Sequence, residues 1–203
     1  MIFPPDRKFY LVIGSGIGGI SKDYPYYDSS TMDLICIDRN YIENKKIKTN
    51  KNKIYIYNQD ILKTLSSLEV KVDFIYASRI FEHFSFVNND LLYLLYLCHS
   101  SLNDDGKLIG IVPDYNKIFL QLHLVQSKIN KSLFTHIDLI KIHTEFFNTD
   151  EDPHKSIWTP ELVYYYLGLE HYFQVSNLKT NYMVDLRDWY IYFEAHKYIQ
   201  GES

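Results

Sequence analysis

The segment Phe9-Tyr-Leu-Val-Ile13 runs without a polar break into Gly14, Gly16, Gly18 and Gly19. Five apolar residues with no inside–outside alternation read as a strand buried on both faces, the kind found in parallel sheets covered by helices. Glycines at the carboxyl end of a first strand let the backbone approach a ligand closely, because no Cβ intervenes. The chain is therefore expected to wrap its first loop around a nucleotide-like cofactor.

The rest of the sequence repeats the alternation of strand and helix. Asp33-Leu-Ile-Cys-Ile-Asp38 reads as a second strand ending in an acid, Ile54-Tyr-Ile-Tyr57 as a third, Val72-Asp-Phe-Ile-Tyr-Ala77 as a fourth, and Lys107-Leu-Ile-Gly-Ile-Val112 as a fifth, stopped by Pro113 and preceded by a turn at Asp104-Asp105-Gly106. Helices are expected over Ile61 to Leu68, over Asn88 to Leu102 (Leu91, Leu94, Leu95 and Cys98 recur at helical spacing), and along Ile118, Leu122, Val125 and Ile129. Thr159-Pro160-Glu161 has the chemistry of a helix start: a capping hydroxyl, proline in the first turn and an acid near the positive end. Two aromatic runs, Tyr172 to Leu178 and Asp188 to Ala195, close the chain as an antiparallel pair. This predicts an α/β domain with a mostly parallel seven-stranded sheet. The chain's 203 residues suit one domain, with residues 114–157 as a cap on the ligand side.

Composition narrows the partners. A net charge of −4, with acids and bases interspersed, gives no overall attraction for phosphate backbones or anionic membranes, so nucleic acid is not expected. Lys45 to Lys53 carries five lysines among Asn and Thr and reads as a solvated loop. Cys36 and Cys98 lie far apart in apolar runs and read as buried thiols of a reducing, cytoplasmic setting. No apolar run approaches the ~20 residues needed to span a bilayer.

The residues at the strand ends carry the chemistry. Gly14-Ser15-Gly16-Ile17-Gly18-Gly19 fits both G-x-G-x-x-G and the looser G-x-G-x-G. The dinucleotide form needs a helix from the third glycine to hold a pyrophosphate, and Pro25 would break that helix within two turns. A cofactor without phosphates has no such requirement. Asp38 can accept hydrogen bonds from both hydroxyls of a ribose, with Arg39 beside it over an adenine edge. Asp60 can accept from an adenine amino group, and it can equally cap the helix that begins at Ile61. Ser15, Ile61 and Ser78 complete the expected cofactor-binding set.

Tyr76-Ala-Ser-Arg-Ile-Phe-Glu82-His83-Phe84 follows the fourth strand, and the chain ends its fifth in Val112-Pro113-Asp114. Taken in order, the glycine loop, Asp38, Asp60, Glu82-His83 and Asp114 resemble the class I S-adenosylmethionine-dependent methyltransferases. Within that family they are most similar to predicted members that also carry a His-Lys (here His154-Lys155) and a final strand with Glu-Ala-x-Lys (here Glu194-Ala195-His196-Lys197). The resemblance covers Phe9 to Lys197 and implies a Rossmann-like fold, S-adenosylmethionine as cofactor, and methyl transfer to oxygen or nitrogen of a small molecule or glycan. Because a sulfonium is already activated, the enzyme's work is alignment, plus a base where the acceptor must lose a proton. His83 is the expected base, Glu82 its orienting acid, and Asp114 an acid that orients the acceptor. No metal site is expected.

Two other readings stay open. Val12-Ile13 stands where the family commonly has Leu-Asp, which motivates a binding or scaffold protein on the same fold. A nicotinamide-dependent oxidoreductase would need an unbroken helix from Gly19. The tyrosines of the tail, Tyr164, Tyr165, Tyr166, Tyr172 and Tyr190 with Trp189, read mainly as an aromatic core, with stacking on a sugar as the alternative.

Overall fold

The computed structural model describes residues 7–14, 24–39, 44–49, 51–120, 155–183 and 188–198. Its strands are β1 (Lys8–Ile13), β2 (Met32–Ile37), β3 (Lys45–Lys48), β4 (Lys53–Tyr57), β5 (Val72–Ser78), β6 (Leu102–Pro113), β7 (Phe173–Met183) and β8 (Asp188–Lys197). They form one sheet in the order β3-β4-β2-β1-β5-β6-β8-β7. Strands β4, β2, β1, β5 and β6 run parallel, while β3, β8 and β7 each pair antiparallel with their neighbours. The helices are α1 (Ile61–Ser66), α2 (Asp90–Ser101), α3 (described over 115–120) and α4 (Pro160–Gly168).

The sheet has eight strands where seven were expected. The extra one, β3, lies in the lysine-rich segment that read as a solvated loop. Ile47 pairs with Ile54 and packs on the sheet, while Lys45, Lys46 and Lys48 stay exposed. Lysines on an edge strand keep it from pairing with another chain. Lys46 also lies over the ring of Tyr55, 5.2 Å from its centroid.

One apolar layer joins the sheet to α1, α2 and α4 through Leu65, Leu91, Leu94, Leu95, Val163 and Leu167, with Trp158 fully buried among them. The other face carries Tyr10, Val12, Leu34, Cys36, Ile54 and Ile56, with Tyr24 and Tyr27 packed over them. Tyr10 donates to Pro25 O at 2.8 Å. Cys36 and Cys98 are both buried and form no disulfide, and burial pushes the Cys98 thiol up to about 12. The turn expected at Asp104-Asp105-Gly106 falls in an irregularity of β6, where the register against β5 jumps between Leu102 and Lys107. Thr159 caps α4 as its sequence implies, accepting from Leu162 N at 3.3 Å. No helix among the described residues is long and apolar enough to cross a membrane.

The chain leaves β1 in one direction, through β2 to β4, and then returns to place β5 and β6 on the other side. The order of strands therefore reverses between β1 and β5. In open α/β sheets the crevice outside the carboxyl ends at such a point is where ligands bind.

Candidate active site

A cavity of about 270 Å³ opens at that point. Its walls come from successive strand ends: Gly14 after β1, Asp38 and Arg39 after β2, and Asp60, Ile61 and Leu62 after β4. Ile80, His83 and Phe84 follow β5, Asp90 opens α2, and Lys155 lies in the wall as well.

Gly14 has φ +69°, a left-handed conformation, and its N–H donates to Ile37 O at 2.9 Å, which locks the tip of β1 against the tip of β2. A Cβ at this position would stand 1.8 Å from Ile80 Cδ1. The glycine is thus required by the backbone turn and by the close approach of the β5 loop. Asp38 lies one residue beyond β2 and is 6% exposed, with its N–H held by Tyr57 O at 3.1 Å. Arg39 is exposed. Asp60 is the N-cap of α1: its Oδ1 accepts from Lys63 N at 3.0 Å and its carbonyl from Thr64 N at 3.0 Å. Capping and lining the cavity coexist in this residue.

After β5 the chain turns at Arg79, which has φ 55° and donates to Ile111 O at 2.8 Å, into a short 3-10 turn over Phe81–His83. This turn sets His83 into the cavity wall and sends Glu82 inward, where it is 1% exposed and does not line the cavity. Residues 155–158 hold the turn from outside. Lys155 N and Ser156 N both donate to Glu82 O, at 2.6 and 3.1 Å. Ser156 Oγ donates to Phe81 O at 3.1 Å and accepts from Trp158 Nε1 at 3.0 Å.

Of the residues singled out from sequence, Gly14, Asp38, Arg39, Asp60, Ile61 and His83 meet at the cavity. Ser78 ends β5 but is not part of the lining. Asp114 is also elsewhere: 1% exposed, it caps α3, with Oδ1 accepting from Lys117 N at 3.2 Å, and its own N–H bonds to Trp189 O at 2.9 Å. Ser15, Gly16 and His154 lie outside the described residues, as do 121–154 of the expected cap. Sequence reasoning did not assign Leu62, Ile80, Phe84, Asp90 and Lys155 to the site. The apolar pair Ile80 and Phe84, flanking a polar Glu-His directly after a strand end, is the signal that could have marked the wall.

The arrangement offers hydrogen-bond acceptors at two strand tips (Asp38, Asp60), apolar surface between them (Ile61, Leu62, Ile80, Phe84) and an imidazole at a third tip. That donor–acceptor pattern suits a nucleoside, with carboxylates for hydroxyls or amines and aliphatic walls for a flat base.

Comparison with known proteins supports the same architecture. No family model and no curated protein sequence matches the chain. Among solved structures, the chain superposes on Burkholderia thailandensis 1,6-didemethyltoxoflavin-N1-methyltransferase, solved with 1,6-didemethyltoxoflavin and S-adenosylhomocysteine bound, with TM-score 0.59 and 12% identity, covering 95% of this chain and 72% of that one. The fold is that of the class I methyltransferases. A SAM-dependent methyltransferase from Archaeoglobus fulgidus is similar with TM-score 0.54 and 15% identity, over 94% of this chain and 86% of the other. The N-methyltransferase NodS from Bradyrhizobium japonicum follows with TM-score 0.52 and 11% identity, over 95% and 86%. The likeness is one of fold.

Proposed function

We propose that this chain is an S-adenosylmethionine-dependent methyltransferase acting on a small-molecule acceptor. The observation that carries this reading is the meeting of Gly14, Asp38, Asp60 and His83, four strand-end residues distant in sequence, around one cavity at the switch point of a methyltransferase fold. The solved neighbours add weight, since one was captured with adenosylhomocysteine and a heterocyclic substrate together.

The residues fit the cofactor. Asp38 holds the ribose hydroxyls, Asp60 the adenine amino group, and Ile61 with Ile80 the faces of the base; Gly14 leaves room for its backbone to approach. Bound there, S-adenosylmethionine supplies a methyl group already activated on sulfur. His83 accepts the proton that an acceptor oxygen or nitrogen must lose, on a turn anchored from two sides by backbone bonds. Buried Glu82 carries the carbonyl on which that anchoring converges, so it fixes the turn through its main chain. Segment 114–157 is the acceptor-side cap: its described ends, Asp114 and Lys155, lie at the tip of β6 and in the cavity wall.

Titration calorimetry with S-adenosylhomocysteine tests the cofactor. Micromolar binding is expected, weakened at least tenfold in Asp38→Asn. Absence of binding, or binding indifferent to Asp38, sinks the reading. A labelled-donor screen against hydroxyl- and amine-bearing heterocycles then seeks the acceptor, with His83→Gln expected to lower turnover while leaving adenosylhomocysteine affinity unchanged.

A further inference from the structure

We propose that Lys155 is an anion-recognition residue of this cavity, placed in its wall apart from Arg39 at the tip of β2, and that it holds a carboxylate-type group of whatever ligand occupies it; the inference rests on the nucleoside reading above. Its backbone is fixed to the turn that follows β5. Lys155 N and Ser156 N converge on Glu82 O, Ser156 Oγ bridges Phe81 O and Trp158 Nε1, and Trp158 is fully buried. The lysine is thus bolted to the same turn that carries His83, in the wall of the cavity.

Among the described residues the Lys155 ammonium enters no ion pair and no side-chain hydrogen bond. Of the three acids among the described lining residues, the proposed function assigns Asp38 and Asp60 to a nucleoside, and Asp90 sits in the first turn of α2, where a carboxylate complements the positive helix end. An ammonium on a flexible four-carbon stem, mounted on a rigid backbone, is suited to meet a carboxylate or phosphate as a point charge. Two sources share that chemistry: the amino-acid carboxylate of the donor, and an acidic group on the acceptor.

Calorimetry separates them. Wild type, Lys155→Met and Lys155→Arg are each titrated with S-adenosylhomocysteine and with 5′-methylthioadenosine, which keeps the nucleoside and thioether but lacks the amino-acid end. They are then titrated, with adenosylhomocysteine bound, with 4-hydroxybenzoate and its neutral amide. If the anion is the donor's, Lys155→Met weakens adenosylhomocysteine about tenfold or more, as expected for loss of a charge-assisted bond, and leaves methylthioadenosine unchanged. If it is the acceptor's, adenosylhomocysteine is unchanged and binding of the benzoate, not of the amide, is lost. Lys155→Arg retains binding in either case. Indifference of every ligand to Lys155→Met overturns the inference, and so does equal weakening of both nucleosides, which marks a purely structural role. A wild type that binds neither nucleoside removes the nucleoside reading and this inference with it, whereas methylthioadenosine binding alongside a silent Lys155→Met overturns the inference alone.

Discussion

Replacing Gly14 by alanine puts a methyl group where Ile80 already is. The new Cβ would lie 1.8 Å from Ile80 Cδ1 and 2.1 Å from Cγ1, but 3.6 Å from its Cβ, an ordinary contact. Two separable costs follow. The left-handed φ of +69° costs a non-glycine residue about 1–2 kcal/mol. Moving Ile80 out of the way costs about 1–3 kcal/mol, in the range of overpacked cores. At roughly 3 kcal/mol combined, a chain of this size should melt about 6–12 °C lower. Ile80→Ala removes both clashing carbons, so the steric cost disappears in that background while the backbone cost remains. A double-mutant cycle by urea unfolding should therefore show a favourable coupling of about 1–3 kcal/mol. Gly14→Ala alone should also weaken methylthioadenosine binding, because the side chain of Ile80 that must give way lines the cavity. A Gly14→Ala cost near zero, or one equal in the wild-type and Ile80→Ala backgrounds, would refute the account of why this glycine is needed.

Three further outcomes are expected. Gly110→Ala would bring a Cβ within 2.1–2.7 Å of three ring carbons of fully buried Phe193, so it should destabilise by about 3 kcal/mol or more in urea unfolding. Ser156→Ala removes a hydroxyl that satisfies both Phe81 O and Trp158 Nε1; it should cost about 2 kcal/mol and loosen any ligand contact made by Lys155. Burial pushes the Glu194 carboxyl up, but the Lys107 ammonium at 2.9 Å and the hydroxyls of Tyr192 and Tyr26 outweigh it and hold the group down at about 2. A carboxyl lowered on folding stabilises above its unfolded value of 4.5 and loses that contribution as pH falls from about 5 toward 2. Chemical-denaturation midpoints should drop through that window in the wild type and less steeply in Glu194→Gln.

The parallel strands were legible because each is an apolar run closed by a turn or an acid, and the residues just past three of them, Gly14, Asp38 and Asp60, line the cavity. Gly14, Asp38 and Asp60 could be placed from sequence because strand ends in such a sheet all point the same way. The lysine strand β3 was not legible: Lys45-Lys-Ile-Lys48 offers one apolar residue, and it is a strand because β4 supplies an edge for it to pair with. Asp114 shows a different limit. It does end a parallel strand and caps the helix that starts at the next residue, as Asp60 caps α1, but it is 1% exposed and is not among the described residues that line the cavity. Lys155 was legible only as part of the His-Lys motif in the ligand-side cap, and what puts it in the wall is tertiary: three hydrogen bonds from Lys155 and Ser156 to the backbone of Phe81 and Glu82, about seventy residues upstream.

The tip of β1 explains why a cation from so far away matters. In the family that the chain resembles, an acid commonly precedes the glycine loop, whereas here Ile13 occupies that place, fully buried and paired with Ile37 on one side and Ala77 on the other. A carboxylate there would need a partner that this apolar setting does not offer, so the first strand cannot supply charge to a ligand. Its contribution is shape, through Gly14. Among the described residues, charge in the cavity wall comes from the tips of the other strands and from the segment docked on them. The carboxylates of Asp38 and Asp60 provide one sign, and Arg39 at the tip of β2 together with the docked segment beginning at Lys155 provides the other. On this reasoning Ile13→Asp should destabilise the sheet without improving affinity for adenosylhomocysteine over methylthioadenosine. An affinity gain confined to the amino-acid-bearing ligand would show instead that the first strand had kept its place in recognising that end.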